Sequence, residues 1–536
     1  MFKRPIFAAL LVLTVLAPIR AADKEAPKSN KPAVIVRLAA LDHLRSNLRY
    51  LTEVVGEAEK AKQLDELIKS KLGEKGLQGI DATKPLGAYG WIGQFGIDSQ
   101  AVFLVPIADK KAFLDLLSDT LDVKPEKGDD DVYTMNVEKL PVTIYFRFAN
   151  GYAYITARDK EVLDKDKLLA PAAVLAGGQV GVASITVHID EVPAGLKENA
   201  LAVIENQLAD LKEREMVGHS EAQKKFRDAA VDELSAQIKL LFQHGGAATL
   251  RLDLDRKDGD LSLTASVAGK PGSPLADKIR ALGQIQSWTA ALVHPNSALK
   301  GELNMSLPQK LRGLLGPVLR DMEKQMLAKA KDENQREVLN TLLEGIMPTL
   351  KAAELDTAID LRGPNDKGLY TLVAGIKVKD GTKMERSFLK AAARFPKLIN
   401  LDAEKVEQVN IHRINPDNNT NSGAQRTLGN NPVYVAFQHE VLFLSAGEKG
   451  LSALKEALAA APRTGKVIEL QMALARLTPL FDNPEQVDIA RQVFGDGKGG
   501  DRLRLSIEGG NALTLHLFLK TKLIDYVNRV EKAKKK

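Results

Sequence analysis

Residues 144–156 read IYFRFANGYAYIT, and residues 433–445 read VYVAFQHEVLFLS. The two stretches align without a gap. Both carry a strand pattern of apolar residues. Ala157, Asp159 and Lys160 are then matched by Ala446, Glu448 and Lys449, before a short apolar stretch that ends in Ala170-Pro171 or Ala461-Pro462. Upstream, Val102–Asp109 before Phe113-Leu114 is matched by Leu372–Asp380 before Phe388-Leu389. Units that recur in the same order over such distances predict an internal duplication of a ~250-residue domain. The first copy is placed at 33–285 and the second at 286–536, the latter with a basic C-terminal tail.

The rest of the chain fits two kinds of unit. In one, a strand leads into long helices: Val182–Ile189 before a helical pair over 196–243, and Leu299–Asn304 before a second pair over 308–352. In the other, a hairpin leads into a helix. Its reversals are Lys257-Asp258-Gly259-Asp260, Asn365-Asp366-Lys367-Gly368 and Gly509-Gly510-Asn511, which carry the residues tight turns require. The expected class is α+β: two similar domains, each a largely antiparallel twisted sheet with helices packed on one face.

Charge and targeting narrow the function. The excess of 75 Lys and Arg over 69 Asp and Glu lies in Lys3, Arg4 and Arg20 at the start and in Lys532, Lys534, Lys535 and Lys536 at the end. The body between them is close to neutral, so no nucleic-acid surface is expected. The absence of Cys excludes disulfides, thiolate metal sites and a Cys nucleophile. Met1-Phe2-Lys3-Arg4, the apolar run Ile6–Ile19 and the small residues Ala21-Ala22 form a secretory signal, with the cut placed after Ala21. Residues 22–32 are a polar leader. The expected location is periplasmic or extracellular, with no integral membrane segment after cleavage.

Gly79-Ile80-Asp81 with Lys84-Pro85, and Val102-Phe103-Leu104-Val105-Pro106-Ile107 ending in Asp109 before Phe113-Leu114, carry a resemblance. With the signal segment, they resemble a set of uncharacterised secreted bacterial proteins of the kind abundant in planctomycete-type genomes. The resemblance covers mostly residues 33–170. It implies the same fold class and an exported protein, and it implies no activity.

Motifs for catalysis are sparse. The eight His lack the i, i+4 spacing of a zinc helix. His188, His412 and His516 alternate with apolar strand residues and fall on the opposite sheet face. Ser387-x-x-Lys390 and Ser452-x-x-Lys455 match the start of the penicillin-binding motif, but no Ser-x-Asn element follows. Asp253, Asp255, Asp258 and Asp260 belong to a hairpin turn, because the late Glu of a calcium loop is replaced by Thr264. Gly495–Asp501 holds one Gly/Asp copy, which cannot stack. The most unusual stretch is Gly87–Gly96, with four Gly and three aromatics. Its ordinary reading is a closely packed strand; its functional reading is an aromatic contact surface of Tyr89, Trp91 and Phe95. No catalytic or metal-ligating residue is assigned and no cofactor is expected. The leading expectation is a non-catalytic secreted protein that binds an envelope protein or an apolar small molecule. The alternatives are a hydrolase assembled from dispersed residues such as His188 and Asp190, and a structural envelope component. An open apolar cleft would favour the first.

Overall fold

The computed structural model describes residues 31–534 apart from 58, 60, 61, 64, 65, 67–76, 95–97, 122, 137–141, 158, 176–180, 215–218, 293, 295, 296, 417–421 and 496–498. The signal segment, most of the leader and Phe95 lie outside the described residues. The class is α+β, dominated by antiparallel pairing. The chain divides into two compact units, one of Met1–Ile204 with Leu240–Leu275 and one of Glu205–Lys239 with Ala276–Lys536.

In the first unit the described strands are β1 (Val34–Leu38), β2 (Leu86–Trp91), β3 (Gln100–Pro106), β4 (Glu126–Lys127), β5 (Tyr133–Asn136), β6 (Thr143–Ala149), β7 (Tyr152–Ala157), β8 (Ala183–His188), β9 (Gly245–Asp255) and β10 (Asp260–Gly269). Their order is β4-β5-β6-β7-β3-β2-β1-β8-β9-β10, with every neighbour antiparallel. Asn150 and Gly151 both take positive φ between β6 and β7, the geometry of a two-residue hairpin turn.

Strand β3 explains the layering. Its run Val102–Pro106 is apolar throughout, so both of its faces need cover. Val102 and Leu104 meet Ile35, Tyr89, Tyr152 and Tyr154 beneath Leu163, Val174 and Leu175. Val105 faces the other way, with Phe146 and Ala153, under Phe113 and Leu117 of helix α1 (Lys110–Leu121). Helices therefore pack on both faces of this sheet, where the sequence reading expects one. Gly79 fixes the approach of α1, because a Cβ there would collide with the Phe113 amide nitrogen. The Gly79 carbonyl accepts the Ala108 N–H at 2.9 Å, and Asp109 Oδ1 accepts the Ala112 N–H at 2.8 Å to cap the helix. Long helices α2 (Ala194–Glu213) and α3 (Glu221–His244) connect β8 to β9.

The second unit contains β11 (Ser297–Ser306), β12 (Glu354–Arg362), β13 (Thr371–Lys377), β14 (Ile399–Val406), β15 (Val409–Ile414), β16 (Val433–Phe437), β17 (Val441–Ala446), β18 (Ile468–Ala473), β19 (Arg502–Glu508) and β20 (Leu513–Lys520). Their order is β14-β15-β16-β17-β13-β12-β11-β18-β19-β20, again antiparallel throughout. The helical pair α4 (Gln309–Ala328) and α5 (Glu333–Ala352) connects β11 to β12. Helix α6 (Gly381–Ala392) lies on one face through Phe388, whose ring is 5.5 Å from that of Phe437. Helix α7 (Gly450–Leu458) covers the other through Ala453, Leu454 and Ala457, against Val373, Ile411, Ala436 and Phe443. Here too both faces carry helices.

Candidate functional site

Side chains alternate across a strand, so register alone assigns them to faces. In the first unit one row runs Phe103–Ala88–Val36–Ile185–Leu250–Ala265 across six neighbouring strands. The adjacent rows add Val34, Val187, Ala248 and Val267 on one side, and Leu38, Ala183, Leu252 and Leu263 on the other. All are apolar. Helix α1 shields the β3 end of this face, but further along Ile185 is 37% and Leu250 44% exposed. No residue of β10 is buried.

The opposite face carries the core residues Ile35, Tyr89, Val102 and Leu104 on β1–β3 and turns polar from Arg37 across β8 and β9. Arg37 Nη1 donates to Thr186 Oγ1 at 3.3 Å, and the Thr186 and Thr249 hydroxyls lie 3.1 Å apart. Arg251 Nη2 donates to Asp253 Oδ1 at 2.7 Å. Burial pushes the Arg37 guanidinium down from its ordinary value. Thr186 is buried while its neighbour Ile185 is exposed, the reverse of the usual preference.

The second unit repeats this inversion. Its rows are Leu442–Ile376–Thr357–Leu303–Ile468–Ile507–Leu515 and Leu444–Ala374–Ile359–Gly301–Leu470–Leu505–Leu517. Met305, in register with Leu355, is 43% exposed, and Ile359 is 40% exposed. On the other face Lys300, Glu302, Asn304, Asp356, Asp360, Glu469 and Ser506 are buried. Buried charges are tolerated only when paired and hydrogen-bonded; Lys300, Glu302, Asp356 and Glu469 are, while Asp360 pairs with Arg362 through Oδ2 and leaves Oδ1 without a hydrogen bond. Lys300 Nζ donates to Glu469 Oε2 at 2.8 Å and lies 3.7 Å from Glu302 Oε2. Arg504 Nη2 meets Glu469 Oε1 at 2.6 Å. Asp356 accepts the Ser287 hydroxyl at 2.7 Å, the Trp288 N–H at 2.8 Å and the Thr289 hydroxyl at 2.8 Å, which clamps residues 287–289 onto the sheet. Burial pushes the Asp360 carboxyl up, against the opposing effects of Ser297 and Arg362.

These apolar rows consist of aliphatic side chains, small residues, one Thr and one Phe. They offer almost no hydrogen-bond donors. Protein–protein interfaces instead enrich Tyr, Trp and Arg and form many hydrogen bonds. At ~4.8 Å per strand the five strands beyond the shielded β3 end span roughly 19 Å, more than the ~15 Å filled by one leaflet's hydrocarbon. Such a face fits a hydrocarbon chain.

Of the aromatic stretch singled out in the sequence, Tyr89 is 1% exposed and belongs to the core. Burial pushes its phenol up to about 12. Trp91 packs on it edge-to-face, with centroids 5.4 Å apart. The glycines serve close packing: a Cβ on Gly87 would lie 2.5 Å from Leu175 Cδ2, and one on Gly90 2.6 Å from the Gln100 carbonyl oxygen. Tyr89 thus presents no surface to a ligand.

The other candidates are held apart from one another. His188 lies in β8 and is pushed down by burial and Lys31, while Asp190 Oδ2 accepts from Lys31 Nζ at 3.1 Å. His412 is buried beside Phe388 of α6. The Asp402 N–H donates to its Nδ1 at 3.2 Å, so Nε2 carries the proton and faces Glu385 Oε1 at 3.3 Å. His516 Nε2 lies 3.4 Å from Glu508 Oε1. Ser387 packs against Gly345 of α5; Ser452 donates to the Lys449 carbonyl, and Lys455 pairs with Glu404 at 3.2 Å. Residues 496–498 of the Gly/Asp run lie outside the described residues, and Asp501 Oδ2 accepts the Ala475 N–H at 2.9 Å. Among the described residues no group of three or more His, Asp or Glu could hold a metal ion, and no helix is long and apolar enough to cross a membrane. No family model matches the chain, and no curated protein or solved structure matches it either.

Ile185, Leu250, Met305 and Ile359 were not marked out by their sequence. Their alternation is legible there, but alternation does not say which face is covered.

Proposed function

We propose that this is an exported, non-catalytic protein that binds the hydrocarbon part of an amphiphile on the exposed aliphatic faces of its sheets. The observation that carries the reading is the aliphatic row through Val36, Ile185 and Leu250, with Ile185 and Leu250 exposed and their polar neighbours turned inward. Exposed apolar area of this kind marks an interaction site. Export rests on the Lys3-Arg4 start, the Ile6–Ile19 run and Ala21. Intact-mass analysis of exported protein should begin within a residue or two of Ala22; a mature protein retaining Met1 refutes it.

The two units derive from one duplicated domain. What supports this is that the strand order of the second unit is that of the first with every strand advanced by ten. Each unit also starts the helix after its third strand with an Asp cap, Asp109 and Asp380.

The binding test uses the mature protein, a neutral monoacylglycerol and the fluorescent apolar dye Nile red. Both should bind, and Leu250→Glu with Ile185→Glu should weaken binding in the first unit tenfold or more. Because both side chains are already exposed, the circular dichroism melt should stay within a few degrees. Undiminished binding in the folded double variant would reject this face as the site.

A further inference from the structure

The end of the second unit's sheet is held by an imidazole. Strand β14 stands last in the strand order and pairs with β15. Asn400 is opposite Arg413 and Glu404 opposite Ile411, so Leu401, Asp402 and Ala403 bulge against His412. Asp402 has a φ of +50°, in the left-handed region that Asp tolerates better than most residues. Residues 400–405 are exposed, whereas His412 is fully buried.

The ring makes two polar contacts of opposite kind. Nδ1 accepts the Asp402 N–H at 3.2 Å, and Nε2 donates to Glu385 Oε1 of α6 at 3.3 Å. The Asp402 carboxylate stands close by, with Oδ1 3.6 Å from Nδ1, and is itself exposed. The remaining contacts are apolar. Phe388 of α6 lies 5.3 Å from the ring centroid and Phe437 of β16 lies 6.1 Å from it, and Val435 of β16 is in register with His412. Ile411 and Arg413, on either side in β15, alternate to the other face. The titratable groups that face the ring are thus Glu385 from α6 and Asp402 from β14, both carboxylates.

We propose that His412 is a protonation switch for strand β14: its neutral ring holds the bulge through the Asp402 backbone, and its protonated ring holds it through the Asp402 carboxylate instead. An imidazolium carries N–H on both nitrogens and accepts no hydrogen bond. Turning the ring over restores nothing, because either nitrogen then points a proton at the Asp402 N–H. The backbone at Asp402 must therefore rotate that N–H away. The carboxylate 3.6 Å off moves in as a charge-assisted acceptor for Nδ1, and Glu385 keeps Nε2. One proton so exchanges a backbone bond for a side-chain bond, in the range of about pH 5 to 8 where imidazoles titrate. Beyond the bulge Glu404 ties β14 to Lys455 of α7 at 3.2 Å, which anchors the rest of the strand. The switch does not depend on what the aliphatic faces bind.

Two readouts on the full chain test this between pH 8 and pH 5. In protein labelled with 15N-histidine, the His412 ring signals are identified by their loss in His412→Asn. They should show the Nε2–H tautomer at pH 8 and an imidazolium at pH 5. Hydrogen exchange read by mass spectrometry, corrected for its intrinsic pH dependence, should show residues 399–406 losing protection tenfold or more with the same midpoint, while Val433–Phe437 stays protected. His412→Asn places an amide oxygen where Nδ1 accepts, so protection over 399–406 should be kept at every pH. Glu385→Gln removes one of the two carboxylates, so both midpoints should move down together by about one pH unit. A ring that stays neutral at pH 5, or that titrates with no change over 399–406, overturns the proposal. So does a loss of protection that persists in His412→Asn. If His412→Asn does not fold, Glu385→Gln decides alone: unless one ring midpoint and the exchange midpoint move together, the switch is rejected.

Discussion

Lys300→Met probes the inverted sheet most directly. It removes the ammonium 2.8 Å from Glu469 and 3.7 Å from Glu302 and replaces it with an apolar chain of similar length. Burial pushes the Glu469 carboxyl up, but the hydrogen bond and charge of Lys300, with the charges of Lys466 and Arg504, outweigh it and hold the group below its ordinary value. Removing one partner of a buried pair costs about 3–5 kcal/mol. Arg504 still holds Glu469 Oε1 at 2.6 Å, so the expected loss is near the lower end, about 3 kcal/mol. The pH dependence has a definite sign. A carboxyl held low by folding adds stability above its unfolded pKa, and that stability is lost as pH falls through the folded value. Without Lys300 burial weighs more heavily, so the cost of the substitution is largest at neutral pH and shrinks as acid neutralises Glu469. The chain has two Trp, Trp91 in the first unit and Trp288 in the second. In a Trp91→Phe background, urea unfolding followed by Trp288 fluorescence at pH 7 and pH 4 reads the second unit alone. Lys300→Met/Glu469→Met should recover most of the loss, because an apolar pair can replace a buried ionic one. A single-variant loss below about 1 kcal/mol, or a double variant equal to the sum of the singles, would refute the reasoning.

Other substitutions separate core from open face. Leu250→Ser should cost no more than about 1 kcal/mol in thermal unfolding, whereas Leu454→Ala, at a fully buried position, should cost about 2–5 kcal/mol. Tyr89→Ala should destabilise the first unit by about 3–5 kcal/mol, read as a lowered urea midpoint. Gly79→Ala combines a φ of +92° with a backbone collision at Phe113 and should cost more than about 2 kcal/mol by the same measurement. Asp356→Ala strands three donors, and Trp288 emission should shift to the red before global unfolding as residues 287–289 come away.

Much of the local structure was legible because it is written in local chemistry. The hairpin turn of Asp255–Asp260 and the helical pairs near 196–243 and 308–352 follow from turn residues and apolar period. The recurrence of β6–β7 in β16–β17 marks out equivalent hairpins in the two sheets. The candidate site was not legible, for a specific reason. Lys300, Glu302 and Asn304 alternate with Leu299, Gly301 and Leu303, and such a strand normally turns its charges to water. Here Glu469 satisfies Lys300 and the Lys466 N–H satisfies Glu302, both from far along the chain, while the Gln286 carbonyl accepts from Asn304. Burial of polar groups depends on partners, and partners follow from topology. The Gly87–Gly96 stretch drew attention by composition, yet its glycines admit neighbouring chains and its tyrosine fills the core.

The polar groups turned inward differ between the units. The first uses the Thr186 and Thr249 hydroxyls with Arg37 and the Arg251–Asp253 pair. The second uses Lys300, Glu302 and Glu469, a closed network of full charges. Either set would be simpler to leave in water, with the aliphatic rows inside, because burying a charge adds a desolvation cost that its partners only offset. On the proposed duplication, the two units reached the same inverted arrangement with unlike side chains. What they share is the outward aliphatic face and not the means of satisfying the inward one. A constraint of folding alone would act on the buried groups and leave the exposed face free to become polar. The shared feature is the face itself, which is what the proposed binding of an amphiphile requires.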